Sequence, residues 1–291
     1  MHRALALILT AALTAASLVL PAEVAAVGIV TLAGAGDIAS CHTWRDQKTG
    51  NLLDDIPGTV FTLGDNAYPN GTTENYKQCY APAWGRHKSS TYPVPGNHDY
   101  HVPGAADYFS YFGSRAGTPG KGWYAYTRGA WRIYALNSNC EEIGGCWSGS
   151  PQQTWLARDL RNHPHECVMA YWHHPRFSSG RHGNQREVRG LFKTLYQAGA
   201  ELVVNGHDHN YERFAPQDHE ANADPNGIRE FVVGTGGANT RPFEVIQPNS
   251  EVRDATSFGV LKLVLGDGFY RWRFIAGGAS TFTDSGEGTC H

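Results

Sequence analysis

The stretch Glu201-Leu202-Val203-Val204-Asn205-Gly206-His207-Asp208-His209 carries a short apolar β-rich run straight into a glycine and two histidines. A run of this length, bounded by turn residues, reads as a buried strand. Working outward, the same arrangement recurs along the chain. The apolar runs 28–33, 59–63, 91–94, 132–136 and 167–172 precede it, and most of them end in polar, metal-capable residues. Gly36-Asp37 follows the first run, Gly64-Asp65-Asn66-Ala67-Tyr68 the second and Gly96-Asn97-His98-Asp99 the third. Trp172-His173-His174-Pro175 closes the run at 167–172.

Helical patterns lie between several of these runs. Positions 151–162 begin with Ser150 as an N-cap, Pro151 at the first helical position and Gln153 placed to close a capping box. Positions 187–197 set Val188, Leu191, Phe192, Leu195 and Tyr196 at helical spacing, with Gly199 as the stop. Strands alternating with helices predict an α/β core. Runs 228–233, 258–265 and 269–275 then read as consecutive strands, the last two joined across Gly266-Asp267-Gly268 as a hairpin. No repeat or low-complexity linker divides the chain, so residues 27–291 are expected to form a single domain.

In an open α/β sheet the strand ends share one edge, and ligands bind there. Five polar clusters are therefore expected to converge on one site. Their carboxylates, amide and histidines are hard oxygen and borderline nitrogen donors, more numerous than one tetrahedral ion needs. Two cations sharing a bridging carboxylate would use them all, and such pairs, roughly 3.5–4 Å apart, serve in-line phosphoryl displacement. Glycine precedes Asp37, Asp65, Asn97 and His207, which permits sharp turns and close approach of the backbone.

Composition narrows the field. The chain has 291 residues, 41% hydrophobic and 18% charged, with a formal net charge of -3. This excludes a disordered polymer and a collagen-like repeat, and it offers no nucleic-acid-binding signal. Residues 1–26 combine His2 and Arg3, an uncharged apolar run at 4–20, Pro21 and the small residues Val24-Ala25-Ala26, which reads as a cleaved secretory signal peptide. No later stretch reaches the roughly 20 apolar residues of a membrane span, so the mature chain is expected to be secreted and soluble. Six cysteines follow the leader, in keeping with disulfides in an oxidising compartment. Fifteen pairings are possible; the expected one joins Cys140 with Cys146, Cys41 with Cys79 and Cys167 with Cys290. Asn70-Gly71-Thr72 is a glycosylation sequon only in a eukaryotic secretory pathway.

The ordered series Asp37, Gly64-Asp65-x-x-Tyr68, Gly96-Asn97-His98-Asp99, 168–173 and Gly206-His207-x-His209, extended by Asn210-Tyr211-Glu212-Arg213, resembles the calcineurin-like metallophosphoesterases, and within them the purple acid phosphatases. The resemblance runs from Gly36 to Arg213. It implies a four-layer α/β/β/α sandwich with two mixed β-sheets. It implies Fe(III) at Asp37, Asp65, Tyr68 and His209, and a divalent ion (Zn, Mn or Fe) at Asp65, Asn97, His173 and His207, with Asp65 bridging. It places His98, and His182 nine residues after His173, on the substrate side as catalytic groups. Ala39 stands where many metallophosphoesterases have a ligating histidine and purple acid phosphatases have glycine. Alanine cannot ligate, and Tyr68 is placed to supply the ligand as a phenolate.

His174 is expected to face away from His173, in a supporting position, and Tyr211, Glu212 and Arg213 to form a buried support network. Asp218, His219 and Glu220 are expected in a solvated loop. The N-terminal β-sandwich domain of the large plant enzymes is not expected, since about ten residues separate the leader from Asp37. The implied function is a secreted binuclear phosphatase that hydrolyses small phosphoric monoesters by in-line attack of a metal-activated hydroxide. A phosphodiesterase for nucleotides or phospholipid headgroups is the alternative on the same metals, and the loops at 100–112 and 139–147 would discriminate the two. A non-catalytic metal- or phosphate-binding protein is the reading from a different class, disfavoured by the complete ligand set with His98. The sequence sets no oligomeric state.

Overall fold

The computed structural model describes residues 28–291; the expected leader lies outside them. Two mixed sheets form the body. The first has six strands in the order Ser285–Thr289, Phe269–Ala276, Gly259–Gly266, Val30–Ala35, Thr59–Thr62 and Thr91–Tyr92. Its last three strands run parallel and the rest antiparallel. The second has seven, in the order Ser250–Asp254, Tyr211–Phe214, Arg229–Val233, Leu202–Asn205, Cys167–Trp172, Trp131–Ala135 and Tyr124–Arg128, with a parallel centre and antiparallel edges. A short parallel ladder pairs Ala39–Ser40 with Ala67–Tyr68.

The strand Cys167–Trp172 shows how the layers assemble. It is buried along its whole length, as a central parallel strand should be. Cys167, Met169 and Tyr171 enter the cluster that lies between the sheets with Leu32, Phe61 and Leu263. Val168, Ala170 and Trp172, on the opposite face, pack with Leu156, Leu191, Phe192 and Leu195. Those four residues come from the helices Pro151–Asn162 and Arg189–Gln197, which form the outer layer on this side. Alternation of side chains across the pleat thus feeds two cores at once. Each fully buried aliphatic or aromatic side chain contributes about 1.5–3 kcal/mol. On the far side, helix Arg45–Asp54 packs against strand Gly259–Gly266. The four-layer sandwich with two mixed sheets is the observed fold.

Several local expectations shift. The helix expected from 187 begins at Arg189, while Gly199 follows it with φ +71° as its stop. Ser150 accepts from Gln153 N as an N-cap, but the Gln153 side chain takes the amide of Gly149 rather than closing the box on Ser150. The hairpin turns through Asp267-Gly268, with Gly266 paired to Phe269. All three expected disulfides, Cys41–Cys79, Cys140–Cys146 and Cys167–Cys290, are present. No helix among the described residues is long and apolar enough to cross a membrane.

Candidate metal centre

The converging strand ends come from both sheets, not from one open sheet as the sequence suggested. Asp37 follows the strand Val30–Ala35 and Asp65 follows Thr59–Thr62, both in the first sheet. His173 directly follows Cys167–Trp172, and His207 and His209 follow Leu202–Asn205, all in the second. Three of these residues have backbones in the left-handed region: Asp37 (φ 58°), Asp65 (φ 50°) and His207 (φ 70°). That conformation is costly for a residue with a Cβ and persists where the surroundings over-determine it. Here the surroundings are specific. Asp37 N donates to Gly64 O at 3.1 Å, and His207 N donates to Asp37 Oδ2 at 2.8 Å. The Asp65 loop also lies so close to its neighbours that a Cβ on Gly64 would sit 2.7 Å from both His173 Nδ1 and Gly96 N. Glycine is required there for space as well as for φ +85°.

The seven expected ligands meet as two adjoining groups. In one, Tyr68 Oη lies 2.8 Å from Asp37 Oδ1, 2.8 Å from Asp65 Oδ2 and 3.1 Å from His209 Nε2. His209 Nε2 is itself 3.1 Å from Asp37 Oδ1. In the other, His173 Nε2 lies 3.1 Å from Asn97 Oδ1, 3.2 Å from His207 Nδ1 and 3.4 Å from Asp65 Oδ1. Asp65 thus turns one carboxylate oxygen to each group. Donors that share a cation at about 2.0–2.2 Å stand roughly 3 Å apart, so these separations suit two cations with Asp65 between them. Ala39 is buried in the short ladder opposite Ala67, and Tyr68 stands one residue further along it.

Outer contacts orient the donors. His173 Nδ1 meets Leu63 O at 2.7 Å, and His209 Nδ1 meets Asn239 Oδ1, leaving the other ring nitrogen of each facing the cluster. Asp99 is buried and accepts from Tyr76 Oη, Asn66 Nδ2 and Gly96 N, which ties the Asn97 loop down. Burial and the Asp65 charge push its carboxyl up to about 6. Asp208 accepts from Ser178 Oγ and His182 N and so anchors the His182 loop. Tyr211 and Arg213 converge on Asp284, and Glu212 accepts from Ser179 and Ser250, the buried support network that was expected. Of these supports, Asp99 and Asp208 sit inside the quoted motifs, whereas Asn239 belongs to an irregular loop with no spacing signal.

The electrostatics suit cation binding. Burial disfavours ionised Asp37 and Asp65, but the neighbouring histidines outweigh it and lower both. Burial also opposes charging of His173, yet Asp65 and Asp37 raise it to about 9. His207 is held well below its ordinary value by burial and by the surrounding imidazoles, which keeps a neutral lone pair available. Tyr68 is raised well above 10 by burial and the two carboxylates. A strong Lewis acid would have to supply the charge that ionises it.

His98 and His182 stand at the rim. His98 N donates to Asp65 Oδ1 at 2.8 Å, its ring packs on Tyr68 at 4.5 Å, and its Nε2 lies 3.8 Å from Asp65 Oδ2 with the side chain 28% exposed. The His182 ring lies 4.1 Å from the His207 ring. One expectation is corrected. His174 does not turn away from the cluster; its ring lies 4.4 Å from His207, and its nitrogens group with those of His173 and His207. The strand ends at Trp172, so alternation no longer applies, and Ser138 Oγ holds both His174 N and Nδ1. Burial and the charge of His173 bring His174 down to about 3.

Comparison with known proteins points to one family. The sequence profile of the calcineurin-like phosphoesterase family matches residues 31–211. The chain is 25% identical over 243 residues to purple acid phosphatase 15 of Arabidopsis thaliana, covering 71% of this chain and 44% of that protein. It is 24% identical over 268 residues to a nucleotide pyrophosphatase/phosphodiesterase of Hordeum vulgare, covering 79% and 72%. The purple acid phosphatase PPD1 from yellow lupin (Lupinus luteus) seeds superposes with a TM-score of 0.76 at 19% identity, over 89% of this chain and 53% of that one. The chain therefore spans about half the length, or less, of the Arabidopsis and lupin relatives.

Proposed function

The chain belongs to the calcineurin-like phosphoesterase family, and from that premise we propose that it is a binuclear phosphatase of the purple acid type, acting on small phosphoric monoesters. The observation that carries the reading is Asp65, whose two carboxylate oxygens face two separate donor groups. Asp37, Tyr68 and His209 with Asp65 would hold one cation, as Fe(III). Asn97, His173 and His207 with Asp65 would hold a divalent ion. The donor chemistry fits both, with hard oxygens and a phenol in the first group and imidazoles with an amide in the second. When bound, such a pair supplies an ionised water at mild pH and neutralises phosphate charge.

The remaining work falls to residues of this chain. His98 donates Nδ1–H to Pro69 O at 2.5 Å, which fixes its ring with Nε2 turned to the cluster; in the imidazolium form Nε2 also carries a proton, which would pass to the leaving alkoxide and leave neutral imidazole. On the other rim, Arg241 and His182 would hold phosphate oxygens. Asp37, Asp65 and His173 are themselves buried, which strengthens charge contacts within the cluster. The three disulfides, with no free cysteine among the described residues, support an exported protein. The barley relative's name keeps diester hydrolysis as a second reading. Rates on p-nitrophenyl phosphate and bis(p-nitrophenyl) phosphate test the choice. A higher kcat/KM for the monoester is expected; a higher value for the diester would replace the first reading by the second.

A further inference from the structure

Beside the proposed metal centre, on the side of Asn97 and His174, opens a cavity of about 410 Å³. Tyr100, His101 and Asn139 line it, and Glu141, Glu142 and Glu187 complete its wall. No Lys or Arg lines it, and none of the three glutamates enters an ion pair among the described residues. Asn139 is a second, independent feature. It is only 8% exposed, and its amide nitrogen donates to Pro95 O at 3.2 Å and to Asn137 Oδ1 at 2.9 Å. Both amide hydrogens are thereby engaged, while Asn139 Oδ1 receives no donor from the described residues. The cavity thus offers carboxylates and an amide oxygen with no Lys or Arg beside them.

The wall is built on fixed backbone. Cys140–Cys146 closes the loop that bears Glu141 and Glu142, and Gly145 N donates to Cys140 O at 2.8 Å. The segment after Glu187 packs on the same loop, for Gly190 lies against the backbone of Cys146 and Trp147. Arg181 and Arg241, with Glu244, line a separate pocket beside Asn239.

We propose that this cavity is the leaving-group subsite and that it selects phosphoesters whose alcohol carries a primary ammonium group, against esters bearing further anionic groups. The inference rests on the phosphatase reading of the neighbouring cluster. A phosphate held near Arg241 and the cluster would set its alcohol toward the glutamates. An ammonium there finds three carboxylates and the free amide oxygen as acceptors. A second anion would face like charge.

The test compares kcat/KM of the metal-loaded full chain for O-phosphoethanolamine, propyl phosphate and phosphoglycolate, which share a size and differ in charge. The ammonium ester should exceed the neutral one by roughly ten-fold, with the carboxylate ester lowest, because partly exposed charge contacts are individually modest. The spread should shrink as salt is raised. In the variant combining Glu141→Gln, Glu142→Gln and Glu187→Gln, checked for folding by its melting curve, the ammonium-to-neutral ratio should fall close to one. A ratio near one in the wild type, or an unchanged ratio in the variant, overturns the proposal. If no ester, p-nitrophenyl phosphate included, is hydrolysed, it is the phosphatase reading that fails. Saturation-transfer NMR with ethanolamine against ethylene glycol then still decides the subsite: selective transfer to ethanolamine, lost in the variant, supports it, and equal transfer contradicts it.

Discussion

Arg241 Nη1 lies 2.7 Å from His182 Nε2. A guanidinium only donates, so His182 Nε2 is the acceptor and has no proton to deliver in this arrangement. Burial and Arg241 also lower the His182 pKa, with Asp208 partly opposing them. His98 is placed the other way round, with Nδ1 satisfied by Pro69 O and Nε2 open toward the cluster. We therefore propose proton delivery by His98 in its imidazolium form and phosphate holding by the Arg241–His182 pair.

His98→Ala should keep its metals and lose roughly 10²- to 10⁴-fold in kcat on alkyl phosphates, the usual range for a positioned acid. The loss should shrink on p-nitrophenyl phosphate, whose leaving group departs without a proton. His182→Ala should act mainly on KM. Equal losses on both esters for His98→Ala would make that residue a phosphate clamp instead.

Tyr68 is a phenol in the absence of a cation, pushed up by burial and by Asp37 and Asp65. Ligation to Fe(III) would reverse this and give a visible charge-transfer band. The oxidised, iron-loaded protein should be pink to purple, and Tyr68→Phe should bleach it at equal iron content. An unchanged absorption band in Tyr68→Phe would remove the tyrosine from the ligand set.

The parts of the fold that bury an unbroken apolar signal were readable. Cys167–Trp172 and Pro151–Asn162 have the bounds that their sequences suggest. Thr91–Tyr92 stops short of the expected 94 because Pro93 and Pro95 follow, and proline does not donate to a ladder. Ser250–Asp254 and Ser285–Thr289 were not readable. Both are polar edge strands with one side in solvent, and the second uses Gly286 and Gly288 to lie against Trp272 and Tyr270.

The same logic holds at the site. The seven donors that come together follow strands or glycine turns, so order along the chain reports their convergence. His174, Asn239 and Arg241 carry no such mark. The first lies just past a strand end, where alternation fails, and the other two lie in the irregular segment between Val233 and Ser250.

Glu230 makes the stability depend on pH. It is fully buried, and although it accepts from Arg176 N at 2.8 Å and from Phe177 N, burial pushes its carboxyl up to about 8 from the ordinary 4.5. The folded state therefore binds a proton that the unfolded state has released. This contribution is fully present below about pH 4.5 and is lost as pH rises toward about 8. Glu230→Gln, compared with wild type at equal metal loading, should flatten the fall in Tm across that interval. Parallel Tm curves for the two proteins would show that Glu230 ionises normally in the fold.

If Asp65 joins two cations, metal content measured per chain will show it. The wild type should bind about two metal equivalents after dialysis against trace metal. His209→Ala should retain about one, since it belongs to only one donor group. Asp65→Ala, with wild-type circular dichroism, should retain close to none, because its loss removes a ligand from both groups and the charge between them. Two equivalents retained in Asp65→Ala, or only one in the wild type, would show that Asp65 does not join two cations.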